Sequence, residues 1–457
     1  MMTESQRAAL AEYAAVKGRC PARERLAALF DDGVYTETGS NLRAGENLAG
    51  VVTAYGYIGG TPAYAFSQDS TVMKGAVSLA HSAKICKMFE LAARNGVPVV
   101  GIYDSCGAFV EDGADALNAY SDILLSMGSL SGVVPMVSVI SGVCAGTMAM
   151  IASSADFSVI TEGAELYLDA SGNNASAESA AKSGAVSAYA KSDAEAMDTV
   201  RRYLSLMPQN NLSPLPEFEF DAPVSAAFDN AENAAESIAD AGSILEVYGE
   251  YGTASYTALC TVSGVTAGIA ATNKTKDKLT SADCSKIARF VRLCDAYSIP
   301  VITVADTEGF DLHGADMVRA GAALAGAYAE ASCAKIALVS GKACGMAYIA
   351  FAGRNVAADA VYALPEAVIA PMDPVSAAEF LYHDKLKGAD DLAAARAQIA
   401  KEYAENEGSA FAAAAKGAAD EVVTAENVRA AVASVLDVTA GKRLNKRLPK
   451  KHNILPL

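Results

Sequence analysis

Two kinds of hydrophobic pattern alternate along the chain. Some stretches, such as "KICKMFELAARN", carry apolar residues every three or four positions, which is typical of a helix with one buried face. Others, such as "PVVGIY", are apolar at nearly every position, which is typical of a strand covered on both faces. The alternation predicts βαβ units with parallel strands, and therefore an α/β fold.

The pattern occurs twice. The stretch from Lys84, "KICKMFELAARNGVPVVGIYDSCGA", aligns with the stretch from Lys286, "KIARFVRLCDAYSIPVITVADTEGF", at a constant offset of 202, which pairs Asp104 with Asp306. A second match, at an offset of 199, aligns "MVSVISGVCAG" with "KIALVSGKACG". Two copies of one strand-turn-helix design indicate two homologous α/β halves.

The boundaries of the halves follow from composition. We expect the first half to comprise residues 1–215 and the second 216–457, because the segment 207–223 contains four prolines and reads as a linker. Within the first half, the segment 169–188 is poor in bulky residues. We expect a mobile loop or a weak helix there.

Composition excludes several classes of protein. The 457 residues include 36 Lys+Arg against 53 Asp+Glu, and the net charge of −17 would repel a nucleic acid. None of the nine cysteines forms a CxxC pair and the four histidines lack metal-ligand spacing, so no metal is expected. The charged N-terminus is not a secretory signal, and no apolar run reaches the length of a membrane helix, so we expect a soluble, cytoplasmic protein.

Four glycine-bearing turns follow the strands of the repeat. A strand-to-helix turn points backbone N–H groups outward, where they stabilise an anion or an oxygen that gains charge during a reaction. Glycine in such turns is also explained by backbone geometry alone. The candidates are Cys106, Gly107, Ala108, Gly146 and Thr147 in the first half, and Gly309, Phe310, Met346 and Ala347 in the second.

Other motifs carry less. Ser105 lacks the GxSxG context of a serine hydrolase, and no GxxxxGK[ST] is present. Met73-Lys74 is similar to a biotinylated Met-Lys pair but leads into a predicted helix. Asp104 and Tyr348 are candidates for acid–base groups, although structural roles are commoner for both. The cations within 442–451 form either a solvated tail or a contact to a polyphosphate ligand.

Longer segments resemble a known family. They are "PARERLAALFDDGVYTETG", "GGTPAYAFSQDSTVMKGAVSLAHSAKICK", "GVPVVGIYDSCGA", "ISGVCAG", "KIARFVRLCDAYSIPVITVADTEGF" and the closing "KKHNILPL". The chain is similar, from about residue 20 to its C-terminus, to carboxyltransferase subunits of biotin-dependent acyl-CoA carboxylases and decarboxylases. That group includes the propionyl-CoA carboxylase β chain, the methylmalonyl-CoA decarboxylase α chain and transcarboxylase.

The resemblance implies two tandem crotonase-like (ClpP/crotonase spiral) domains. Residues 1–215 would bind the acyl-CoA and residues 216–457 the biotin, which a separate carrier protein holds. The chains would form trimeric rings that pair as a hexamer, with active sites at the subunit interfaces. The further partner would be a biotin carboxylase or a membrane decarboxylase β subunit, and in the latter case the protein would lie peripheral to the membrane.

The resemblance also assigns residues. The catalytic backbone donors would be Gly146, Thr147, Met346 and Ala347. The acyl-CoA side would be lined by Gly107, Ala108 and Phe109, and the biotin side by Gly309, Phe310, Gly345, Tyr348 and Ile349. Each oxygen anion of the reaction, the thioester enolate and the deprotonated ureido group, would then have its own set of amides.

Some residues depart from the family pattern and leave alternatives open. Phe109 stands where the family has an arginine, Cys106 replaces a glycine, and Thr147 and Met346 fill space that glycine would leave. The first interpretation is carboxyl transfer to a short-chain acyl-CoA of propionyl- or methylmalonyl-CoA type. The second is the α subunit of a sodium-pumping decarboxylase acting on methylmalonyl-, malonyl- or glutaconyl-CoA. The third is a catalytically degenerate scaffold.

Overall fold

The structure, a computed structural model, describes residues 2–169, 175–223, 225–311, 316–354 and 356–442. The chain divides between Pro214 and Leu215 into two compact units. This division falls within the proline-containing segment 207–223.

The first unit surrounds one mixed sheet with helices. Its helices are α1 (Glu4–Ala15), α2 (Pro21–Leu29), α3 (Leu79–Asn95), α4 (Asp115–Leu130), α5 (Thr147–Ser153), α6 (Ala177–Lys182) and α7 (Asp193–Leu206). Its strands are β1 (Tyr35–Thr38), β2 (Arg43–Ala44), β3 (Asn47–Leu48), β4 (Val51–Ile58), β5 (Thr61–Gln68), β6 (Val99–Ser105), β7 (Met136–Ala145), β8 (Phe157–Thr161), β9 (Glu165–Tyr167) and β10 (Ala188–Ala190). Short 3₁₀ turns lie at Asp31–Gly33, Met73–Gly75 and Val110–Asp112.

The strand order of this sheet is β1-β4-β5-β6-β7-β8-β10, and β9 also pairs with the end of β7. The pairs β1/β4 and β4/β5 are antiparallel, and the others on this path are parallel. Parallel strands of this kind are expected from the uninterrupted apolar runs, since helices cover both faces. The predicted βαβ arrangement is confirmed.

The second unit has the same design. Its helices are α8 (Ala231–Ile238), α9 (Ser281–Ala296), α10 (Met317–Glu330), α11 (Met346–Phe351), α12 (Pro374–Leu381), α13 (His383–Leu386), α14 (Leu392–Asn406), α15 (Ala410–Ala415) and α16 (Ala425–Thr439). Its strands are β11 (Leu245–Glu246), β12 (Tyr256–Val262), β13 (Val265–Ala271), β14 (Val301–Ala305), β15 (Lys335–Val339), β16 (Lys342–Cys344), β17 (Ala360–Ala363), β18 (Val368–Ala370) and β19 (Glu421–Val422).

The main sheet of the second unit runs β11-β12-β13-β14-β15-β17-β19, and β16 pairs with β18 separately. Two antiparallel pairs, β11/β12 and β12/β13, again precede the parallel strands. The parallel pair β16/β18 corresponds to the parallel pairing of the end of β7 with β9 in the first unit. The two units therefore share one topology, as the repeated sequence indicates.

Each unit has its own core. In the first, α3 and α4 cover the sheet with side chains such as Phe89 and Ile123, and α3 ends at Gly96, whose φ of 62° suits glycine. In the second, the core includes Ile269, Ile302 and Leu338 from three adjacent strands. The central strands β6 and β14 are buried along nearly their whole length.

Two sequence-based expectations concern particular segments. Residues 170–174 of the segment 169–188 lie outside the described residues, but the rest contains α6, whose alanines Ala177, Ala180 and Ala181 are buried. Small side chains here allow close packing and do not indicate a loop. None of the described helices is long and apolar enough to cross a bilayer.

Candidate active site

The first turn of the first unit follows β6. Gly107 has a φ of +117°, and the chain then pairs with Val77, whose N–H donates to Gly107 O at 2.9 Å while its carbonyl accepts from Phe109 N at 2.9 Å. Gly107 N donates to Ser105 Oγ at 3.2 Å. The Ala108 N–H between them has no acceptor among the described residues.

The second turn of this unit joins β7 to α5. Gly146, with a φ of 65°, is the residue before the helix, and its N–H donates to Tyr167 O at 2.9 Å. The next N–H, that of Thr147, has no acceptor in the described part of the chain. The geometry thus differs from the prediction in one respect: Gly146 provides the turn, and the outward donor is the Thr147 amide.

The second unit repeats both turns. Leu279 N donates to Gly309 O and its carbonyl accepts from Asp311 N, so Phe310 occupies the place of Ala108. Gly309 N donates to Thr307 Oγ1 at 3.1 Å. Gly345 N donates to Ala370 O at 2.9 Å, as Gly146 N does to Tyr167 O.

The donors without acceptors in the second unit likewise lie one or two residues after the glycines. Within the described ranges, the N–H groups of Phe310, Met346 and Ala347 have no acceptor. Because the carboxyl ends of adjacent parallel strands lie at one edge of a sheet, the two turns of a unit lie side by side. Each unit thus presents main-chain donors from two neighbouring strand ends.

The side chains around the turns differ in character. Cys106 is exposed and Phe109 is half-buried. Phe310 is buried, and its ring stacks on that of Phe351 with a centroid separation of 6.0 Å. Met346 and Ile349 are 45% and 55% exposed and form an apolar rim on the second unit.

A carboxylate lies at the end of the central strand in each unit. In the first, Tyr103 pairs with Ile140 and Ser105 with Cys144, so the single residue Asp104 lies opposite the three residues 141–143. A Cβ on Gly142 would lie 2.3 Å from Asp104 Oδ1. Glycine is therefore required for this close approach.

Side chains hold Asp104. Arg25 Nη1 donates to Asp104 Oδ2 at 2.9 Å and Arg25 Nη2 donates to Ser141 O at 2.9 Å. Ser70 Oγ donates to Asp104 Oδ2 at 2.8 Å, and Asp104 N donates to Gln68 Oε1 at 3.0 Å. These bonds make Asp104 part of the turn structure instead of a free acid–base group.

The equivalent Asp306 is held by backbone groups and by Thr272, whose Oγ1 accepts from Asp306 N at 2.9 Å. Lys342 N donates to Asp306 Oδ1 at 2.8 Å, and Thr307 N donates to Lys342 O at 2.8 Å. A Cβ on Gly341 would lie 2.3 Å from Asp306 Oδ1. The Lys342 ammonium group itself pairs with Glu308 at 2.8 Å and with Asp373. Burial lowers the pKa of Lys342, but the two carboxylates outweigh it and the pKa stands above its ordinary value.

A model of the carboxyl transferase domain family matches residues 14–455 of this sequence. The chain belongs to the carboxyl transferase family. A methylmalonyl-CoA decarboxylase α subunit from Propionigenium modestum is 33% identical over 488 residues, which cover 96% of this chain and 94% of the relative. A propionyl-CoA carboxylase β chain from Cereibacter sphaeroides is 31% identical over 494 residues, with 96% and 94% covered.

A solved structure agrees with the sequence relatives. Transcarboxylase 12S, a hexamer with methylmalonyl-coenzyme A and methylmalonic acid bound, superposes with a TM-score of 0.91 at 31% identity. The match covers 100% of this chain and 99% of that one. The family resemblance, the crotonase-like α/β fold and the class of enzyme, a carboxyltransferase, are confirmed.

Two other candidates named from the sequence, Tyr348 and Lys442, form hydrogen bonds with other parts of the chain. Tyr348 Oη donates to Ala418 O at 2.7 Å. Lys442 Nζ donates to Cys333 O and Asp359 Oδ2, both at 2.7 Å, and the cations that follow it lie outside the described residues. Among the described residues, no group of three or more His, Cys, Asp or Glu could hold a metal ion.

His81 is buried at the start of α3, away from the turns. Its Nε2 lies 3.2 Å from Gln68 Nε2, and Gln68 bonds in turn to Asp104 N. Burial, followed by the charge of Lys84, lowers the pKa of His81 from 6.5 to about 3. His81 is therefore neutral, and through Gln68 it supports the end of the strand that carries Asp104.

Sequence reasoning missed Arg25 and the role of Gly142. Arg25 lies 79 positions before Asp104 in the chain, and no local pattern connects them. The sequence contained a signal for the role of Gly142. The Ser-Gly pairs at 141–142 and 340–341 recur together with Asp104 and Asp306.

Proposed function

We propose that this carboxyltransferase moves a carboxyl group between carboxylated biotin and a short-chain acyl-CoA of propionyl- or methylmalonyl-CoA type. One observation carries the proposal. Among the described residues, each unit keeps main-chain donors without acceptors at the same two turns, Ala108 with Thr147 and Phe310 with Met346. A reaction that builds negative charge on two oxygens, one in each substrate, needs such a set for each.

The first unit would bind the acyl-CoA. When the α-carbon loses a proton or a carboxyl group, the electron pair moves onto the thioester oxygen, and the Ala108 and Thr147 N–H groups would hold that oxygen. Removing one such donor typically costs about 3–4 kcal/mol of transition-state stabilisation. Gly107 and Phe109 would line the acyl group.

The second unit would bind biotin, which supplies the nitrogen that gives up or accepts the carboxyl group. The N–H groups of Phe310, Met346 and Ala347, which have no acceptor in the described part of the chain, would suit a ureido oxygen. The exposed apolar side chains of Met346 and Ile349 would suit the ring system. Gly309 and Gly345, with φ of 98° and 55°, form the two turns. Tyr348, fixed by its hydroxyl group, would close the pocket wall.

We further propose a homo-hexamer in which the first unit of one chain faces the second unit of a neighbour. The likeness to transcarboxylase 12S, whose structure is a hexamer, supports this. A carrier protein would bring the biotin to the site, and a biotin carboxylase would carboxylate that biotin.

A second candidate is the α subunit of a decarboxylase, with a membrane β subunit as partner. The likeness to a methylmalonyl-CoA decarboxylase α subunit favours it. The same site would serve both directions by microscopic reversibility.

A transfer assay tests the proposal. The purified chain is incubated with free biotin and malonyl-, methylmalonyl- or glutaconyl-CoA, and in reverse with carboxybiotin and acetyl-, propionyl- or butyryl-CoA. We expect transfer with at least one pair, fastest for the propionyl and methylmalonyl pair. A folded oligomer that transfers no carboxyl group with any thioester would contradict the proposal and favour a degenerate scaffold.

A further inference from the structure

We propose that Arg25 is a positioning residue, which cross-links the ends of β6 and β7 and thereby sets the separation of the Ala108 and Thr147 amides. The inference rests on the proposed function, since those amides are its candidate oxyanion donors. Arg25 belongs to α2, outside the turns themselves.

The guanidinium group makes three hydrogen bonds in three directions. Nη1 donates to Asp104 Oδ2 at 2.9 Å, Nη2 to Ser141 O at 2.9 Å, and Nε to Asp193 Oδ2 at 3.3 Å. Only 13% of the Arg25 side chain is exposed. A planar guanidinium with donors in a fixed fork suits this bridge, and an ammonium group does not.

The bridge spans a weak point of the sheet. Residues 141–143 have only Asp104 opposite them, so the regular ladder between β6 and β7 is interrupted here. Gly142, inside the interruption, has no side chain to pack. Arg25 bonds to both sides of the gap. On one side it contacts Asp104, four residues before Ala108. On the other it contacts Ser141, six residues before Thr147.

The fold does not require this arginine. In the second unit the counterpart carboxylate is held without a cation, because Lys342 N donates to Asp306 Oδ1 at 2.8 Å. The bond from Thr307 N to Lys342 O resumes the ladder there, as the pair Ser105 and Cys144 does in the first unit. Among the described residues, no Lys or Arg forms an ion pair with Asp306. The first helix of that unit, α8, reads "AENAAESI" and has no cation.

A matched pair of variants separates positioning from general stability. Arg23 lies two residues earlier on α2, is 15% exposed on its side chain, and pairs with Glu37 at 2.9 Å. On the same helix, Arg23→Gln breaks one partly buried ion pair, and Arg25→Gln breaks two, with Asp104 and Asp193. We expect Arg25→Gln to lower kcat about 10- to 100-fold at nearly unchanged KM, because displaced donors weaken transition-state binding. Arg23→Gln is expected to lower the thermal midpoint but leave kcat within about twofold.

A second variant tests whether the lower kcat is caused by a loss of stability. Asp104→Asn added to Arg25→Gln removes the uncompensated carboxylate, so stability is expected to recover while kcat stays low. Recovery of both quantities would overturn the proposal, as would wild-type kcat in Arg25→Gln. Should Arg25→Gln fail to fold, Arg25→Lys keeps the charge and loses the fork, and it is expected to fold with a kcat lowered about tenfold.

Hydrogen exchange keeps this test independent of the proposed function. In the full-length protein, Arg25→Gln is expected to speed amide exchange in peptides covering 104–108 and 141–147, and Arg23→Gln is not. Equal exchange in both variants would refute the positioning role even in an active enzyme. A wild-type protein without transfer activity would instead refute the function and leave the exchange result to decide on Arg25.

Discussion

The two units have one topology and brace their turns differently. In the second, the backbone N–H of Lys342 donates to the Asp306 carboxylate, and no Lys or Arg among the described residues pairs with that carboxylate. In the first, Arg25 donates to both Asp104 and Ser141 O from a separate helix. The amide turns are thus common to both units, whereas the side-chain link across the gap belongs to the first.

The helix starts show the same contrast. Asp283, at the first turn of α9, accepts hydrogen bonds from Ser255 N at 2.9 Å and Thr280 N at 2.8 Å, so its carboxylate is fully used locally. His81, at the equivalent place on α3, bonds to Gln68, which bonds to Asp104 N. In both units a strand-end side chain accepts from the N–H of the aspartate, Gln68 from Asp104 and Thr272 from Asp306. Among the described residues, the first unit adds a contact from that side chain to the helix, at His81.

The largest expected effect comes from removing one donor in each unit. Thr147→Pro and Met346→Pro each place proline at the first helical position, where it is tolerated, and each delete an outward N–H. Because oxyanion donors act in the transition state, we expect carboxyl transfer to fall about 100- to 1,000-fold in both. The control Thr147→Ala keeps the amide and should stay close to wild type.

Mixing these two inactive variants tests the proposed assembly. Each chain keeps one intact unit, and sites shared by neighbouring chains would combine them. After denaturation and joint refolding at equal amounts, about one quarter of wild-type transfer should return. No recovery from mixed, folded hexamers would place both donors of a working site in one chain.

A smaller effect is expected from filling the gaps beside the carboxylates. Alanine at Gly142 or Gly341 would place its Cβ 2.3 Å from Asp104 or Asp306, and either carboxylate would have to move. We expect a loss of about 1–3 kcal/mol in the free energy of unfolding, measured by urea denaturation, and reduced transfer. Gly128→Ala in α4 meets nothing within 4 Å and serves as the control. Equal stability of Gly142→Ala and the control would contradict the close packing.

The pH dependence of stability should show the effect of the lowered pKa of His81. Its pKa is about 3 in the folded chain and 6.5 ordinarily, so below pH 6.5 the unfolded chain binds a proton that the folded chain does not. The free energy of unfolding should therefore fall by up to about 1.4 kcal/mol per pH unit between pH 6 and 4. Urea titrations of His81→Gln should show a shallower slope, and an identical slope would assign the loss to other groups.

The smallest expected effect concerns Cys106, which is exposed beside Gly107. Bound acyl-CoA should shield its thiol and slow alkylation by iodoacetamide severalfold, as read by mass spectrometry. Cys344, half-buried in the second unit, is the internal reference and should label at an unchanged rate. Protection of Cys344 and not Cys106 would reverse the assignment of the two units.

Much of the fold could be predicted because the strands are apolar at every position and recur at fixed offsets. The turns could be predicted for the same reason, since Gly107, Gly146, Gly309 and Gly345 follow those strands. The donor within a turn could be predicted only in part, because Thr147, Met346 and Ala347 were named together with Gly146. Gly146 N is used by Tyr167 O, a partner 21 residues away whose register no local pattern reveals.

Two further features were predicted only in part or were missed, for physical reasons. The buried alanines of α6 lack the bulk that marks a core helix, so the sequence left a mobile loop and a weak helix as alternatives there. Arg25 acts across a gap in the ladder between β6 and β7, and such a gap depends on strand register instead of composition.

The most direct test is an experimental structure of the protein with a non-hydrolysable analogue of propionyl-CoA. The account predicts the oxygen that replaces the thioester carbonyl about 2.7–3.1 Å from both Ala108 N and Thr147 N. An oxygen that contacts neither amide, or one bound instead at the turns of Phe310 and Met346, would contradict it.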